Sequence, residues 1–486
     1  MAAPSEKRQA GNTGSALVND SMEKGQTPTD KLDDPLGWET AVENPLNWPT
    51  WRKMILLAAM SASAITASIA SSIVTPARTA FMHDFHVSST VALLSVTLYV
   101  FALGFGPILG GPLSETVGRY PVYLGSIIFG SAFTIGAGFS RNFGELLFFR
   151  FMSGFSWASI LAVAQGSLSE TFLPAARGPV SAIFILMPFL GPGLGPVIGS
   201  FTVSHKDWRW SQWTVLFFAL LTLLLTLLTS ETFHPVIKRR LAIKRGLEVP
   251  EKPNVASRIQ EFAKVGLVRP VRMLIFEPIV SFTCLYISFA FGTLFSFFAA
   301  VPYTFSKVYG FTVEQSGLVF LSITIGCFLG IITVFLCDIH IYRKQVPKHP
   351  PHSVPPEHRL YPAMIGSLGL PLGLFWFGWS ARGGISWAVP AAAIIPFAWG
   401  NICVFVSAIQ YITDTYNGNV VASAASANSL ARYTFAGVFP LFTTPMYERL
   451  GIQWASSLLG FLALALLPIP WVFFKFGSSL RAKSQY

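Results

Sequence analysis

Residues 91–139 read VALLSVTLYVFALGFGPILGGPLSETVGRYPVYLGSIIFGSAFTIGAGF. Two apolar runs flank the turn GPLSETVGRYP (Gly111–Pro121), which carries one acid, Glu115, and one base, Arg119. About 20 apolar residues at roughly 1.5 Å each span the 30 Å hydrocarbon layer of a bilayer. A charged turn between two such runs therefore reads as a helical hairpin through a membrane.

The pattern recurs along all 486 residues, of which 52% are hydrophobic and 12% charged. Mean hydropathy is +0.54, whereas a soluble domain carries about a quarter charged residues. The runs give about twelve spans: 54–75, 89–112, 121–139, 143–167, 178–203 and 212–232, then 277–301, 315–337, 361–380, 385–412, 420–446 and 452–474. This is an internal duplication at the level of hydropathy, and the chain reads as an all-α membrane protein. The divisions are a polar, disordered tail (1–50), a first six-helix half (51–233), a basic linker (234–276), a second half (277–476) and a short C-tail (477–486). No cleavable signal peptide is visible, so the first span is expected to stay as an anchor.

Charge fixes an expected orientation. Lys238, Arg239, Arg240, Lys244 and Arg245 crowd the linker, and most of the 34 Lys and Arg lie on the same side as the tails. The positive-inside rule then puts both termini and the linker in the cytoplasm, so the net charge of +11 calls for no nucleic acid. The four cysteines lack metal-ligand spacing and read as buried thiols. No clustered His, Asp or Cys suggests an enzyme, and no Gly-x4-Gly-Lys loop suggests ATP. No cofactor is expected.

Three motifs carry the chemistry. In GPLSETVGRYP, the small residues allow close backbone approach, Glu115 lies near the end of one helix and Arg119 opens the next. In MPFLGPGLGPVIGSF (187–201), Gly191, Gly195 and Gly199 line one helical stripe and Pro192 and Pro196 the next, a surface for tight packing. Arg150, in ELLFFRFMSGFSW, stands at membrane depth, where it must face a cavity or partner or else snorkel to the outer headgroups.

With the six-plus-six layout, these stretches resemble the major facilitator superfamily. The turn is similar to its loop motif G-x-L-a-D-r-x-G-r-k, with Gly111, Leu113, Gly118 and Arg119 matching and Glu115 in place of aspartate. The run GPGLGPVIG resembles the motif of the proton-driven antiporter branch, with Ser200 replacing a further glycine. Arg150 and Gly154 match R-x-x-q-G, with Ser153 where glutamine is usual. Together with ENPLNWPTWRK, DWRWSQWT, ETFHPVIKRR, HRLYPAMIG and ANSLARYTFAGVFPLFTTPMY, they look like the fungal twelve-span drug–proton antiporters. That group includes multidrug, polyamine and mycotoxin exporters.

The resemblance implies a major facilitator fold of two pseudo-symmetric halves and a cytoplasmic gate in which Glu115 pairs with Arg119 or Arg177, with Glu170 nearby. Asp338, before Arg343 and Lys344, is the degenerate counterpart in the second half. Arg432 reads as the second half's counterpart of Arg150. Candidate cavity residues are Tyr99, Trp157, Gln165, Tyr286, Phe291, Trp399, Asn401 and Asn428. No Asp or Glu lies mid-span: Glu115, Glu170, Glu231, Glu277, Asp338 and Asp414 all sit near cytoplasmic ends. A cavity with Arg150 and Arg432 but no central acid favours neutral or weakly acidic amphiphiles over polyamines. Protons are the expected coupling ion, with Glu277 and Asp414 as titrating candidates; helix-end pairing is the other reading of both. The expected protein is a monomeric efflux transporter of the plasma membrane, or of the vacuolar membrane. A polyamine exporter, an importer or facilitator, and a non-transporting sensor are the alternatives.

Overall fold

The computed structural model describes residues 37–247, 266, 268–349, 354–416, 419–482 and 484. Among them there is helix but no strand. Within hydrocarbon every backbone N–H and C=O must find its partner inside its own segment, and a helix provides that.

The first six spans are α1 (Thr50–Ser72), α2 (Leu94–Leu103, resuming as Gly106–Val117), α3 (Arg119–Phe139), α4 (Phe143–Thr171), α5 (Pro174–His205) and α6 (Trp210–Leu227). The next are α7 (Pro278–Tyr309), α8 (Leu321–Cys337), α9 (Gly369–Ser380, entered through Tyr361–Gly366) and α10 (Ala388–Thr415). A helical run, Asn419–Leu466, follows; Gly451 breaks it at φ 76° and ψ 163°, a conformation that L side chains resist. The break yields α11 (419–450) and α12 (452–466), and α12 resumes as Pro468–Arg481. Ten stretches are long and apolar enough to cross a membrane; dividing one at Gly451 and extending the short Ser89–Leu103 through the second part of α2 gives twelve spans among the described residues.

The sixth span stops short of the expected residue 232. Leu228 closes α6, and 229–233 run without helix, so the carboxylate of Glu231 is free to serve a neighbouring helix. In α5, Pro192 has no N–H for the carbonyl of Pro188; Ser68 Oγ of α1 donates to it instead. This cross-helix bond serves the carbonyl that Pro192 leaves without a donor, and α5 runs unbroken from Pro174 to His205.

Helix pairing repeats between halves. α1 packs on α5 as α7 packs on α11; α2 on α4 as α8 on α10; α3 on α4 as α9 on α10. The halves meet where α2 faces α11 and α5 faces α8. The bonds joining them lie in the bundle's interior or toward the end opposite the α6–α7 linker. Thr97 Oγ1 donates to the Gly437 carbonyl at 2.8 Å, Arg78 reaches Thr444 Oγ1 at 3.3 Å, and His205 lies 3.3 Å from Glu314. At the linker end, no ion pair between halves occurs among the described residues. A small cavity there lies almost wholly within the second half, among Phe335, Asp338, Arg359 and Gln410, with Ala182 of α5 at its edge.

Candidate functional site

Two charge clusters occupy the linker end, one in each half. In the first, Glu231 Oε1 accepts the backbone N–H of Arg119 at 2.8 Å and Oε2 that of Tyr120 at 3.2 Å, capping α3. The same carboxylate accepts N–H groups from Thr232 and Phe233. Gly118, at φ 106°, brings the backbone against it; a Cβ there would stand 2.2 Å from Glu231 Oε2. The Arg119 side chain is nearly buried and pairs with Glu170 at the end of α4 (2.9 Å), donates to Ser114 Oγ and lies over the Phe233 ring. Thr232 Oγ1 holds the other Glu170 oxygen at 2.9 Å.

The ion pair expected of Glu115 is therefore made by Glu170. Glu115 lies two residues before the end of α2; it is exposed, with no partner among the described residues. The Arg177 side chain lies outside the described residues. Close backbone approach in α2 occurs at Gly106 and Gly110, which meet Ala158 and Ser159 of α4, whereas a Cβ at Gly111 would meet nothing within 4 Å.

The second half builds the same join from different residues. Arg359, just before α9, bonds Asp414 at the end of α10 (2.7 Å), lies 3.7 Å from Asp338, and stacks over Tyr342. Arg119–Glu170 and Arg359–Asp414 thus link topologically equivalent positions. Asp338 also pairs with Arg343 at 3.0 Å, and Glu357 pairs with Arg481 at the end of α12. Asp414 is a helix-end carboxylate whose ion-pair partner is Arg359. Glu277 is buried at the entrance to α7. Tyr416 adjoins it, and burial first, then the Glu277 carboxylate, raises the pKa of that phenol.

The two intramembrane arginines differ in kind. Arg150 is 1% exposed. Its Nε donates to the Ser95 carbonyl (3.0 Å) and its terminal nitrogens to Ala70 (2.7 Å) and Ser71 (3.4 Å). Tyr99 lies beneath the guanidinium at 4.4 Å and donates to the Ala67 carbonyl. Arg150 stitches α1 and α2 to α4 and neither snorkels nor faces open space. It is not the counterpart of Arg432: α4 corresponds to α10 in chain order, and Arg432 lies on α11, the counterpart of α5.

Arg432 is 9% exposed and sits mid-helix among three aromatic rings: Tyr433 at 4.5 Å, Phe405 of α10 at 4.7 Å and Phe291 of α7 at 4.9 Å. Its Nε has no hydrogen-bond partner, and no carboxylate pairs with it among the described residues. Phe189 of α5 packs on Phe405 (4.9 Å) and Phe291 (5.7 Å), which places this cage where the halves meet. One turn away on the same face, buried Asn428 leaves Oδ1 unpartnered.

The remaining candidates divide. Phe291 belongs to the cage. Tyr99 is packed under Arg150, and Trp157 is buried against Gly130 of α3, so both serve the core of the first half. Asn401 donates to the Ala290 carbonyl at 2.6 Å, tying α10 to α7, and Trp399 donates to Thr333 of α8 at 2.9 Å. Tyr286 is buried in the second half near Thr283 and Tyr411, and Gln165 is exposed. The glycine stripe of α5 faces α1: Gly191 and Gly195 meet Ser68 and Ser72, and Gly199 meets Ile73. Pro192 and Pro196 are buried beside it.

This architecture has a matching sequence signature: residues 60–440 fit the family model described as Major Facilitator Superfamily. The chain belongs to the major facilitator superfamily. It is thereby a multi-pass membrane transporter by family and by its apolar helices. Its relatives are fungal transporters of that superfamily. It is 37% identical to the citrinin biosynthesis cluster MFS transporter mrr1 of Monascus ruber, over 91% of this chain and 90% of that one. Identity is 36% to efflux pump FUBT of Fusarium oxysporum (90% and 75% covered) and 34% to polyamine transporter 4 of Saccharomyces cerevisiae (95% and 74%). A solved D-xylose–proton symporter shares the fold with a TM-score of 0.61 at 14% identity, covering 86% of this chain and 97% of that one.

Sequence reading misses Glu231 as a cap because its signal, a helix ending early, is invisible in a hydropathy plot. It also misses Arg359, whose charge is hidden in the connector PEHRLYP. Phe189, Phe405 and Tyr433 look like any of the 43 phenylalanines and 13 tyrosines until their partner Arg432 is placed.

Proposed function

We propose that the protein exports small amphiphilic compounds by alternating access, driven by proton antiport. The observation that carries this reading is the Arg432 cage at the seam of two halves that are bonded together in the interior and toward the end away from the linker. A group that binds at the seam is reached from either side as the halves rock, which is the physical requirement for alternating access. The efflux pump and the biosynthesis-cluster transporter among its relatives support export as the direction. The proposed setting is the plasma membrane, with the tail 1–50, the linker 234–276 and the tail 477–486 in the cytoplasm and a monomeric chain.

In this reading, the linker-end clusters around Arg119–Glu170 and Arg359–Asp414 belong to the cytoplasmic gate. Each of these ion pairs stays within one half, so a gate that joins the halves needs further contacts between them. Among the described residues no carboxylate lies mid-span, which disfavours a polyvalent cation as cargo despite the likeness to a polyamine transporter. Proton coupling falls to the carboxylates at the linker end, Glu170 and Glu277, both shielded from water. The test is transport by the purified chain in vesicles under an imposed pH gradient. Gradient-dependent accumulation of planar aromatic compounds is expected; uptake indifferent to the gradient removes antiport, and spermine as the only cargo removes the amphiphile.

A further inference from the structure

We infer that the cargo is an organic acid carried as its anion, and that Arg432 is the residue that holds its carboxylate. This rests on the export reading above and narrows it to a substrate class. A guanidinium is charged at every physiological pH and has five N–H donors in a planar fork. In the interior of a membrane protein such a group is stable only when its charge is countered and its donors are met. Arg150 shows how this chain does that when the role is structural: three backbone carbonyls from two neighbouring helices receive its nitrogens.

Arg432 is also buried but is treated otherwise. Three ring faces offset part of the cost of its charge, yet a ring face accepts no in-plane N–H. The Nε donor is left without an acceptor, and among the described residues no carboxylate pairs with the guanidinium. The missing partner is thus a planar anion that accepts two parallel N–H bonds, and its body must be apolar enough to lie among Phe189, Phe291 and Phe405. Asn428, one turn along the same face with Oδ1 unmet, adds an acceptor for a donor group on that body, such as a hydroxyl next to the acid. An amine is excluded on both counts, since it brings a second positive charge to the cage and no acceptor for the guanidinium.

Naphthoate, naphthamide and spermine serve as probes, with affinities measured by calorimetry on the purified full-length chain at neutral pH. Naphthoate and its amide match in shape and differ in charge. Naphthoate is expected to bind roughly 10- to 100-fold more tightly than naphthamide, as a charge-assisted bond requires, and spermine not at all. Arg432→Gln should abolish the preference, while Arg432→Lys should retain a weaker one because an ammonium cannot bind bidentately. Equal affinity of acid and amide in the native chain, no binding of naphthoate, or an unchanged preference in Arg432→Gln overturns the assignment. Should Arg432→Gln fail to yield folded protein, the acid–amide comparison in the native chain and in Arg432→Lys still decides. The two readings fail separately: naphthoate bound with preference but never moved by a pH gradient refutes export alone. Gradient-driven movement of neutral compounds without acid preference refutes the anion site alone.

Discussion

Glu231, beyond the end of α6, caps α3 by accepting the backbone N–H of Arg119 at 2.8 Å. A carboxylate from one helix thereby fixes the start of another, and the Arg119 side chain, held at its base, is aimed at Glu170. The cap requires glycine at position 118, both for its φ of 106° and because a Cβ would collide with the capping oxygen. Gly118→Ala should lower stability by about 2 kcal/mol or more, and Glu231→Gln by about 1–3 kcal/mol. Thermal melting of the detergent-solubilised protein checks both, and a melting point unchanged by Gly118→Ala contradicts this account of the turn.

The pairing of Arg119 with Glu170 rather than Glu115 gives a ranking. Glu170→Gln leaves a nearly buried guanidinium without its counter-charge, so it should reduce both thermal stability and gradient-driven transport. Glu115→Gln alters an exposed side chain and should shift stability by less than about 0.5 kcal/mol. Glu115 stays in play as a gate residue only in a state that brings the linker ends of the two halves together. If Glu115→Gln abolishes transport at unchanged stability, the closed gate uses it after all.

Arg150 is expected to act on the fold. Replacing it by methionine leaves three carbonyls of α1 and α2 without their donors and should cost about 3–5 kcal/mol. Arg150→Lys should recover part of that, since an ammonium reaches fewer of the carbonyls. Neither change should alter the acid-over-amide preference of any protein that still folds. A binding assay that finds the preference lost at normal stability would place Arg150 in the site.

How far the sequence leads depends on what kind of interaction a feature uses. Span number, duplication and the α5 glycine face are legible, because burial in lipid and close helix contact leave periodic marks in composition. The halves' shared charge join is half legible: Glu170, Asp338 and Asp414 stand out near span ends, but Arg359 does not, since it lies in a polar connector among other charged residues. Arg150 and Arg432 look alike in a string of letters. Only the carbonyls around one and the rings around the other, which come from helices far away in the chain, tell them apart.

His358 supplies a pH dependence at the linker end. Its pKa is lowered, first by burial and then by the nearby charges of His349 and Lys348, against an opposing pull from Glu357. The folded state thus prefers the neutral ring, which bonds the Tyr361 hydroxyl at 2.9 Å. Its contribution to stability is fully present above the unfolded value of about 6.5 and is lost as pH falls through the lower folded value. The melting point of the native chain should drop between about pH 7 and pH 5. His358→Gln should flatten that drop; an identical acid slope in the variant assigns the effect to other groups.

Ser68 and Pro192 offer a test of how α5 tolerates its prolines. The Ser68 hydroxyl donates to the Pro188 carbonyl, the acceptor that a proline at 192 leaves unserved. Ser68→Ala removes the donor and should cost about 1–3 kcal/mol, because a carbonyl buried in a membrane protein has no water to turn to. Pro192→Ala restores an N–H at the position from which an ordinary helix would supply it. The double variant Ser68→Ala/Pro192→Ala should therefore be more stable than Ser68→Ala alone, a coupling that a double-mutant cycle measures directly. Additive losses would mean that the serine stabilises α1 against α5 through packing, and that the proline's missing bond is tolerated for another reason.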